Sequence, residues 1–66
     1  MKTLADVLSM INAIDNISIH DGQGNVRFNG LCSDFRPLAS EEDRELLNAE
    51  VDRIRAYKGI IVLLLK

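Results

Sequence analysis

One stretch decides the fold of this chain of 66 residues: Ile60-Ile61-Val62-Leu63-Leu64-Leu65. It shows no alternation of polar and apolar residues, whereas a strand with one solvated face has a period of two. Continuous apolar runs of this length are typical of strands that are buried on both faces. The run therefore predicts a closing strand whose two faces both need cover.

The segment before this strand has two interpretations. If Val51 to Tyr57 forms a strand, Lys58-Gly59 is a two-residue turn and Ile60–Leu65 is the second strand of a β-hairpin. If the preceding helix continues instead, it covers residues 40–58 and only one strand follows it. We favour the hairpin chiefly because of a resemblance given below, and also because the long helix would leave three strands, and the apolar strand would then be difficult to cover on both sides.

The N-terminal part predicts a helix that ends at Asp15-Asn16. Its apolar residues recur at steps of three and four, which places them on one face. Thr3 precedes the run and can cap the helix, and Asp6 lies near its positive end. The apolar face consists of Leu4, Val7, Leu8, Ile11 and Ile14.

A β-hairpin follows this helix. Ile17-Ser18-Ile19-His20 and Val26-Arg27-Phe28-Asn29 both alternate, and Asp21-Gly22-Gln23-Gly24-Asn25 between them is rich in turn residues. The alternation predicts two sets of side chains, one beneath the helix and one on the opposite face. The first set is Ile17, Ile19, Val26 and Phe28, and the second is Ser18, His20, Arg27 and Asn29.

The middle of the chain predicts a connector and a second short helix. In the connector, residues 30–39, we expect Leu31 and Phe35 to reach the core, and Pro37 argues against a central strand. Ser40 is a suitable cap for a helix anchored by Leu46 and Leu47. The result is a single α+β domain, residues 1–66, with two layers, the order α-β-β-α-β-β and a mostly antiparallel sheet. The alternative is α-β-β-α-β with a long helix over residues 40–58.

The small size of the domain favours self-association. Domains below roughly 70–80 residues commonly need a disulfide, a metal or a partner subunit. A single cysteine, Cys32, forms no internal disulfide, and with one histidine, His20, the chain lacks the Cys and His ligands of a typical four-ligand zinc site. We therefore expect a homo-oligomer, unless the connector around residues 31–38 covers the second face of the closing strand. The sequence does not decide which face forms the candidate interface, which comprises Ile61, Leu63, Leu65, Val62 and Leu64.

Composition sets several function classes aside. The net charge of −2 argues against nucleic acid as a partner, and no apolar run approaches the length of a membrane span. The N-terminal residues lack the apolar stretch of a signal peptide, and one unpaired thiol suits a reducing compartment, so we expect a cytoplasmic protein without cofactor or metal.

Two charged groups are candidate binding sites. If the hairpin interpretation holds, a basic and aromatic set can line one sheet face and bind a small anionic ligand of the nucleotide type. This set is Arg27, Arg53, Arg55 and Tyr57. An acidic set either matches the dipole at the start of the second helix or meets a basic partner. It comprises Glu41, Glu42, Asp43 and Glu45.

No catalytic motif is complete. The glycine-containing loop of residues 21–25 lacks the glycine and the glutamate that a calcium-binding EF-hand needs at its sixth and twelfth positions, where Val26 and Cys32 stand. Cys32, His20 and Asp34 have no spacing that requires them to meet. We therefore predict a protein that is not an enzyme.

The order of these segments resembles short uncharacterised proteins of bacterial phages, prophages and conjugative elements. The similar pieces are the opening helix, Ile17-Ser18-Ile19-His20-Asp21, Val26-Arg27-Phe28-Asn29-Gly30, and Glu50-Val51-Asp52-Arg53-Ile54 leading through Lys58-Gly59 into the apolar strand. The resemblance implies a C-terminal β-hairpin and no catalytic residues. It also implies a role in phage–host conflict, as an inhibitor of a host protein such as a defence enzyme or as a sponge for a signalling nucleotide.

Overall fold

The computed structural model describes residues 2–35 and 41–66, without the side chains of Glu42 and Asp43. This part of the chain forms two short α-helices, one 3₁₀ helix and four strands. In chain order they are α1 (Leu4–Leu8), β1 (Asn16–His20), β2 (Val26–Leu31), the 3₁₀ helix (Cys32–Asp34), α2 (Glu41–Leu47), β3 (Val51–Tyr57) and β4 (Ile60–Leu65). The α+β architecture is confirmed, and the long helix over residues 40–58 is wrong because Val51–Tyr57 is a strand. The expected cap at Ser40 and the residue Pro37 lie outside the described residues.

The four strands form one mixed sheet in the order β2-β1-β4-β3. The two hairpins, β1–β2 and β3–β4, are antiparallel, and the sequence predicted both. The strands β1 and β4 join the hairpins through a parallel pairing, which the sequence did not predict. The apolar strand β4 thereby lies inside the sheet, where its backbone pairs on both sides.

The turn of the C-terminal hairpin has the geometry that two-residue connections prefer. Lys58 has φ 49° and Gly59 has φ 79°. Positive φ at both central positions matches the right-handed twist of the flanking strands and is tolerated best by glycine at the second position. The Lys58-Gly59 pair therefore terminates β3 and reverses the chain into β4.

The helix α1 is shorter than its apolar pattern predicted. It ends after Leu8, the Ser9 hydroxyl donates to the Asp6 carbonyl at 2.7 Å, and Ile14 is 82% exposed. The Met10 and Ile11 N–H groups then form turn bonds to Val7 O and Leu8 O. Farther along, the Ser33 N–H donates to Ala13 O at 3.0 Å and the Cys32 N–H to Asp15 O at 2.9 Å, which ties this segment to the end of the first hairpin. The expectation that the helix continues and that Ile14 packs on the sheet was therefore wrong.

The first hairpin contains a bulge that the alternation concealed. Its register shifts between Ile19 and His20, so that Phe28 pairs with Ile19 while Val26 pairs with His20. Val26 thus shares a face with His20 and is 57% exposed, contrary to the predicted place beneath α1. An extra residue in one strand reverses the facing of every residue beyond it, which the period of two alone does not reveal.

The core lies between the two α-helices and one face of the sheet. It contains Leu4, Val7, Leu46, Ile17, Ile19, Leu63 and Leu65. Phe35 reaches this side of the sheet, as predicted, and its ring lies 5.1 Å from that of Phe28. Leu31 does not, since it is 39% exposed at the end of β2.

Candidate functional site

The two faces of β4 have different surroundings. Leu63 and Leu65 are 0% and 5% exposed and belong to the core, and Ile61 packs against it. Ile60, Val62 and Leu64 point to the opposite face, where they are half-buried. In the described part of the chain, no helix packs on that face. The predicted interface therefore divides: Ile61, Leu63 and Leu65 belong to the interior, and within the described residues only Val62 and Leu64 face away from the helices. The alternative, in which the connector around residues 31–38 covers this face, involves residues 36–38, which lie outside the described part of the chain.

We call the opposite side of the sheet the open face. The pairing registers arrange its side chains in three rows that each cross all four strands in the order β2, β1, β4, β3. The first row is Leu31, Asn16, Ile60 and Tyr57; the second is Asn29, Ser18, Val62 and Arg55; the third is Val26, His20, Leu64 and Arg53. No residue of the three rows is acidic, and the column from β4 is entirely apolar.

A hydrogen bond joins two central residues of the open face. Ser18 Oγ lies 2.9 Å from His20 Nε2, and Ser18 is only 8% exposed. A serine bonded to a histidine is also the first half of a nucleophile–base pair. Among the described residues, none bonds the second imidazole nitrogen, so the pair lacks the group that would orient a base. The bond satisfies a nearly buried hydroxyl, and the alternation of β1 was the signal that placed both residues on one face.

The structure does not bring Cys32 and His20 together. Cys32 packs against the core, on the side of the sheet opposite to His20. Burial, and secondarily the Asp15 charge, raises the pKa of its thiol, which favours the less nucleophilic protonated form. Asp34 is exposed within the 3₁₀ helix.

The predicted basic set is only partly assembled. Arg53, Arg55 and Tyr57 lie in the β3 column of the open face, as the hairpin interpretation predicted, whereas Arg27 belongs to β2 at the other edge of the sheet. Three strand spacings, about 14 Å, separate the two edges. Lys58 joins the β3 group instead, since its Nζ lies 5.4 Å from the centre of the Tyr57 ring.

Arg27 belongs to the turn of the first hairpin. Its Nη1 lies 3.6 Å from Asp21 Oδ2, and Asp21 Oδ1 accepts the N–H groups of Gln23 and Asn25, each at 2.9 Å. The Asn25 N–H, followed by that of Gln23, holds the pKa of Asp21 below its ordinary value. The loop is therefore a hairpin turn whose carboxylate is already engaged, as the sequence indicated.

A groove of about 550 Å³ runs between this turn and α2, and the sequence did not predict it. It is lined by Asp21, Gln23, Asn25, Arg27, Glu45, Leu46 and Ala49. Its charges are mixed, and its Asp21 and Arg27 already form an ion pair.

The acidic set lies on α2. Glu41 and Glu45 are exposed, whereas the side chains of Glu42 and Asp43 lie outside the described part. Among the described residues there is no group of three or more His, Cys, Asp or Glu side chains that could hold a metal ion. No helix in that part has the length and apolar character that crossing a membrane requires.

Comparison with family models, with curated proteins and with solved structures found no match. The candidate site is therefore defined by its geometry alone. It is an open sheet face with an apolar centre, a basic edge and no carboxylate.

Proposed function

We propose that this chain is a non-catalytic binding protein that acts as a homo-oligomer, with the open face as the surface that joins its copies. The observation that carries the proposal is the column of Ile60, Val62 and Leu64, three large apolar side chains that are only partly buried on a central strand. Val26 and Tyr57, 57% and 63% exposed, extend the apolar surface to both edges. A second copy removes this surface from water.

The energetics favour a weak, concentration-dependent association. Full burial of a large apolar side chain is worth about 1.5–3 kcal/mol, and no more than about a third of that remains to be gained for each of these three partly buried residues. Loss of translational and rotational freedom opposes this gain by several kcal/mol. The three rows of four supply twelve side chains, fewer than the 20–30 residues on each side of a standard interface. We expect a dissociation constant in the micromolar range or above.

The test compares Leu64→Lys with Ile54→Lys by sedimentation equilibrium at protein concentrations from about 10 µM to 1 mM, the range that a weak interface requires. Leu64 points to the open face, and lysine there places a charge beside Arg53, its partner across the strands. Ile54 is the matched control. It is 55% exposed, but it lies on the helix side of the sheet, where it pairs with the core residue Leu63. The wild type and Ile54→Lys should associate equally, and Leu64→Lys should remain a monomer.

Circular dichroism at low concentration checks that both variants are folded. A wild type that stays monomeric over the whole range would refute the proposal. So would a folded Leu64→Lys variant that associates as strongly as the wild type.

A host protein is the partner that we propose for the assembled form. The resemblance to short phage and mobile-element proteins supports this role, and the exposed Glu41 and Glu45 on α2 offer an acidic surface away from the open face. Isothermal titration with a purified candidate host protein would test it, with the double variant Glu41→Lys, Glu45→Lys expected to lose binding. Equal binding by this variant would exclude the acidic surface.

A small anionic ligand is the second candidate function, supported by the shared face of Arg53, Arg55 and Tyr57. A ligand at about 100 times its dissociation constant adds about 2.7 kcal/mol to the free energy of unfolding. Thermal unfolding with a panel of nucleotides should therefore show a clear rise in Tm for one of them, and a smaller rise for Arg55→Gln. The absence of any shift would rule this function out.

A further inference from the structure

A twofold axis between two copies of the open face, placed in one particular way, would match the face with itself. The axis lies between two facing sheets and runs across the strands, through the middle row of Asn29, Ser18, Val62 and Arg55. It places each strand on the same strand of a second copy, antiparallel to it. The first row then meets the third row, and the middle row meets itself.

This arrangement places apolar side chains against apolar side chains at the centre of the interface. Ile60 meets Leu64 of the second copy, Val62 meets Val62, and at the β2 edge Leu31 meets Val26. Polar groups also meet polar groups: Ser18 faces Ser18, Asn29 faces Asn29, and Asn16 faces His20. Buried apolar surface and buried hydrogen-bonding groups each gain partners of their own kind, which is the condition for a stable interface.

The other simple twofold axis, which runs along the strands, gives a poor match. It places β4 on β1 of the second copy, so that Val62 meets Ser18 and Leu64 meets His20. Apolar side chains would then cover polar groups without offering hydrogen bonds, which costs free energy. The axis across the strands is the better solution for this surface.

One contact of the favoured arrangement is repulsive. At the β3 edge Arg55 meets Arg55 of the second copy on the axis, while Arg53 faces the Tyr57 ring, a favourable cation–π geometry. Among the described residues, Arg55 has no ion pair, and Arg53 has one loose contact, 3.9 Å from its Nε to Asp52 Oδ2. Two guanidinium groups therefore converge without a carboxylate between them, at an edge that solvent reaches.

We propose that the two Arg55 side chains bind a phosphate group on this axis, so that the anion bridges the two copies. Guanidinium groups bind phosphate oxygens in paired, charge-assisted hydrogen bonds, and a dianion converts the repulsion into attraction. The site is incomplete in one copy, since each contributes one Arg55. The inference rests on the proposed assembly through the open face, and it gives that assembly a ligand: phosphate, free or as the terminal group of a nucleotide.

The experiment measures self-association by sedimentation equilibrium in chloride and in inorganic phosphate at equal pH and ionic strength. Phosphate should tighten the association of the wild type about tenfold or more. Arg55→Gln should associate more tightly than the wild type in chloride, because the repulsion is gone, and should show no response to phosphate. Arg44→Gln, which changes an exposed arginine on α2, is the matched control and should respond as the wild type does.

A further arm replaces inorganic phosphate by a nucleoside monophosphate and by the nucleoside alone. A response to both phosphates but not to the nucleoside assigns the site to the phosphate group. A response to the nucleotide alone shows that the base is also recognised.

The outcomes separate the two proposals. If the wild type associates equally strongly in chloride and in phosphate, the anion site is overturned and the interface proposal stands. The same conclusion follows if Arg55→Gln still responds to phosphate. A protein that is monomeric in every anion overturns both proposals.

Cross-linking tests the axis itself. In a Cys32→Ser background, Asn29→Cys lies on the axis at the β2 edge, and a short bifunctional thiol reagent should link the two copies there, because facing sheets lie about 10 Å apart, too far for a direct disulfide. Leu31→Cys, one row away, should not, because it faces Val26. Dimers from Leu31→Cys but not from Asn29→Cys would overturn the arrangement.

Discussion

The two faces of β4 show how one apolar strand meets two different environments. Leu63 is completely buried beneath the helices, whereas Leu64, the next residue, is only partly buried on the open face. Composition does not separate them, since both are leucines within one apolar run. The difference arises because the helices of the described chain form a single layer, which covers one side of the sheet. The surplus apolar side chains of this strand are the observation on which the proposed association rests.

The largest expected effect compares truncation on the two faces. Leu63→Ala should lower the free energy of unfolding by about 2–5 kcal/mol, because it opens a cavity in a core with no solvent access. For a domain of this size, whose total stability is roughly 3–10 kcal/mol, that loss approaches global unfolding. Leu64→Ala should cost about 1 kcal/mol, since part of that side chain is already in water. Urea unfolding at low protein concentration, where the chain is monomeric, measures both.

Equal losses in the free energy of unfolding for the two variants would contradict the proposed difference between the two faces. They would show that Leu64 is buried within the monomer as deeply as Leu63. A smaller loss for Leu63→Ala than for Leu64→Ala would reverse the assignment of the two faces.

A second comparison uses the edge strand β3, where Tyr57 and Ile54 are similarly exposed, 63% and 55%, on opposite faces. Tyr57→Ala should weaken self-association about fivefold to tenfold, because the ring loses apolar contact and a cation–π partner worth about 1 kcal/mol. Ile54→Ala should leave self-association unchanged. Sedimentation equilibrium of the two variants at one concentration series decides the matter, and a stronger effect from Ile54→Ala would place the interface on the helix side.

The smallest expected effect is the loss of folding stability at low pH. The pKa of Asp21 is held below 3.8 chiefly by the Asn25 N–H, and that of Asp6 chiefly by the Thr3 N–H. Because these pKa values are depressed in the folded state, the stability they contribute is complete above pH 3.8 and is lost as the pH falls through the folded pKa. Both groups are exposed, so the loss should be modest.

Urea unfolding of the monomer at pH 6 and at pH 3 measures this loss of stability. Asp21→Asn keeps an acceptor for the turn but no titrating group, so it should lose less stability than the wild type over this interval. An unchanged loss would show that the turn contributes nothing to the acid sensitivity. The open face carries no carboxylate, and so this sensitivity belongs to the turn and to α1.

Local signals predicted most of the elements. Alternation identified β1 and β2, the Lys58-Gly59 pair identified the C-terminal turn, and the Thr3 cap is present, with the Asp6 N–H donating to its hydroxyl at 3.3 Å. The position of Arg53, Arg55 and Tyr57 on one face also followed from the pattern. Each of these features depends on residues close in sequence, so the sequence carries the relevant information directly.

The predictions that the structure contradicts share a different cause. The end of α1 depends on bonds from residues 32–33 to the backbone of Ala13 and Asp15, and the facing of Val26 depends on a bulge. The separation of Arg27 from Arg53 depends on the strand order. All three are set by how one segment pairs with another, for which single-sequence periodicity has no signal.

By itself, the sequence predicted that Ile60–Leu65 is an apolar strand and favoured a β-hairpin between it and residues 51–57, whereas the cover of its second face stays a prediction. The tertiary structure decided that β4 lies between β1 and β3 and that Leu63 points toward the helices while Leu64 does not. The reason is that local conformation follows from neighbouring residues, whereas the choice between two equally apolar faces follows from where the helices pack. That choice leaves Val62 and Leu64 at the centre of the open face.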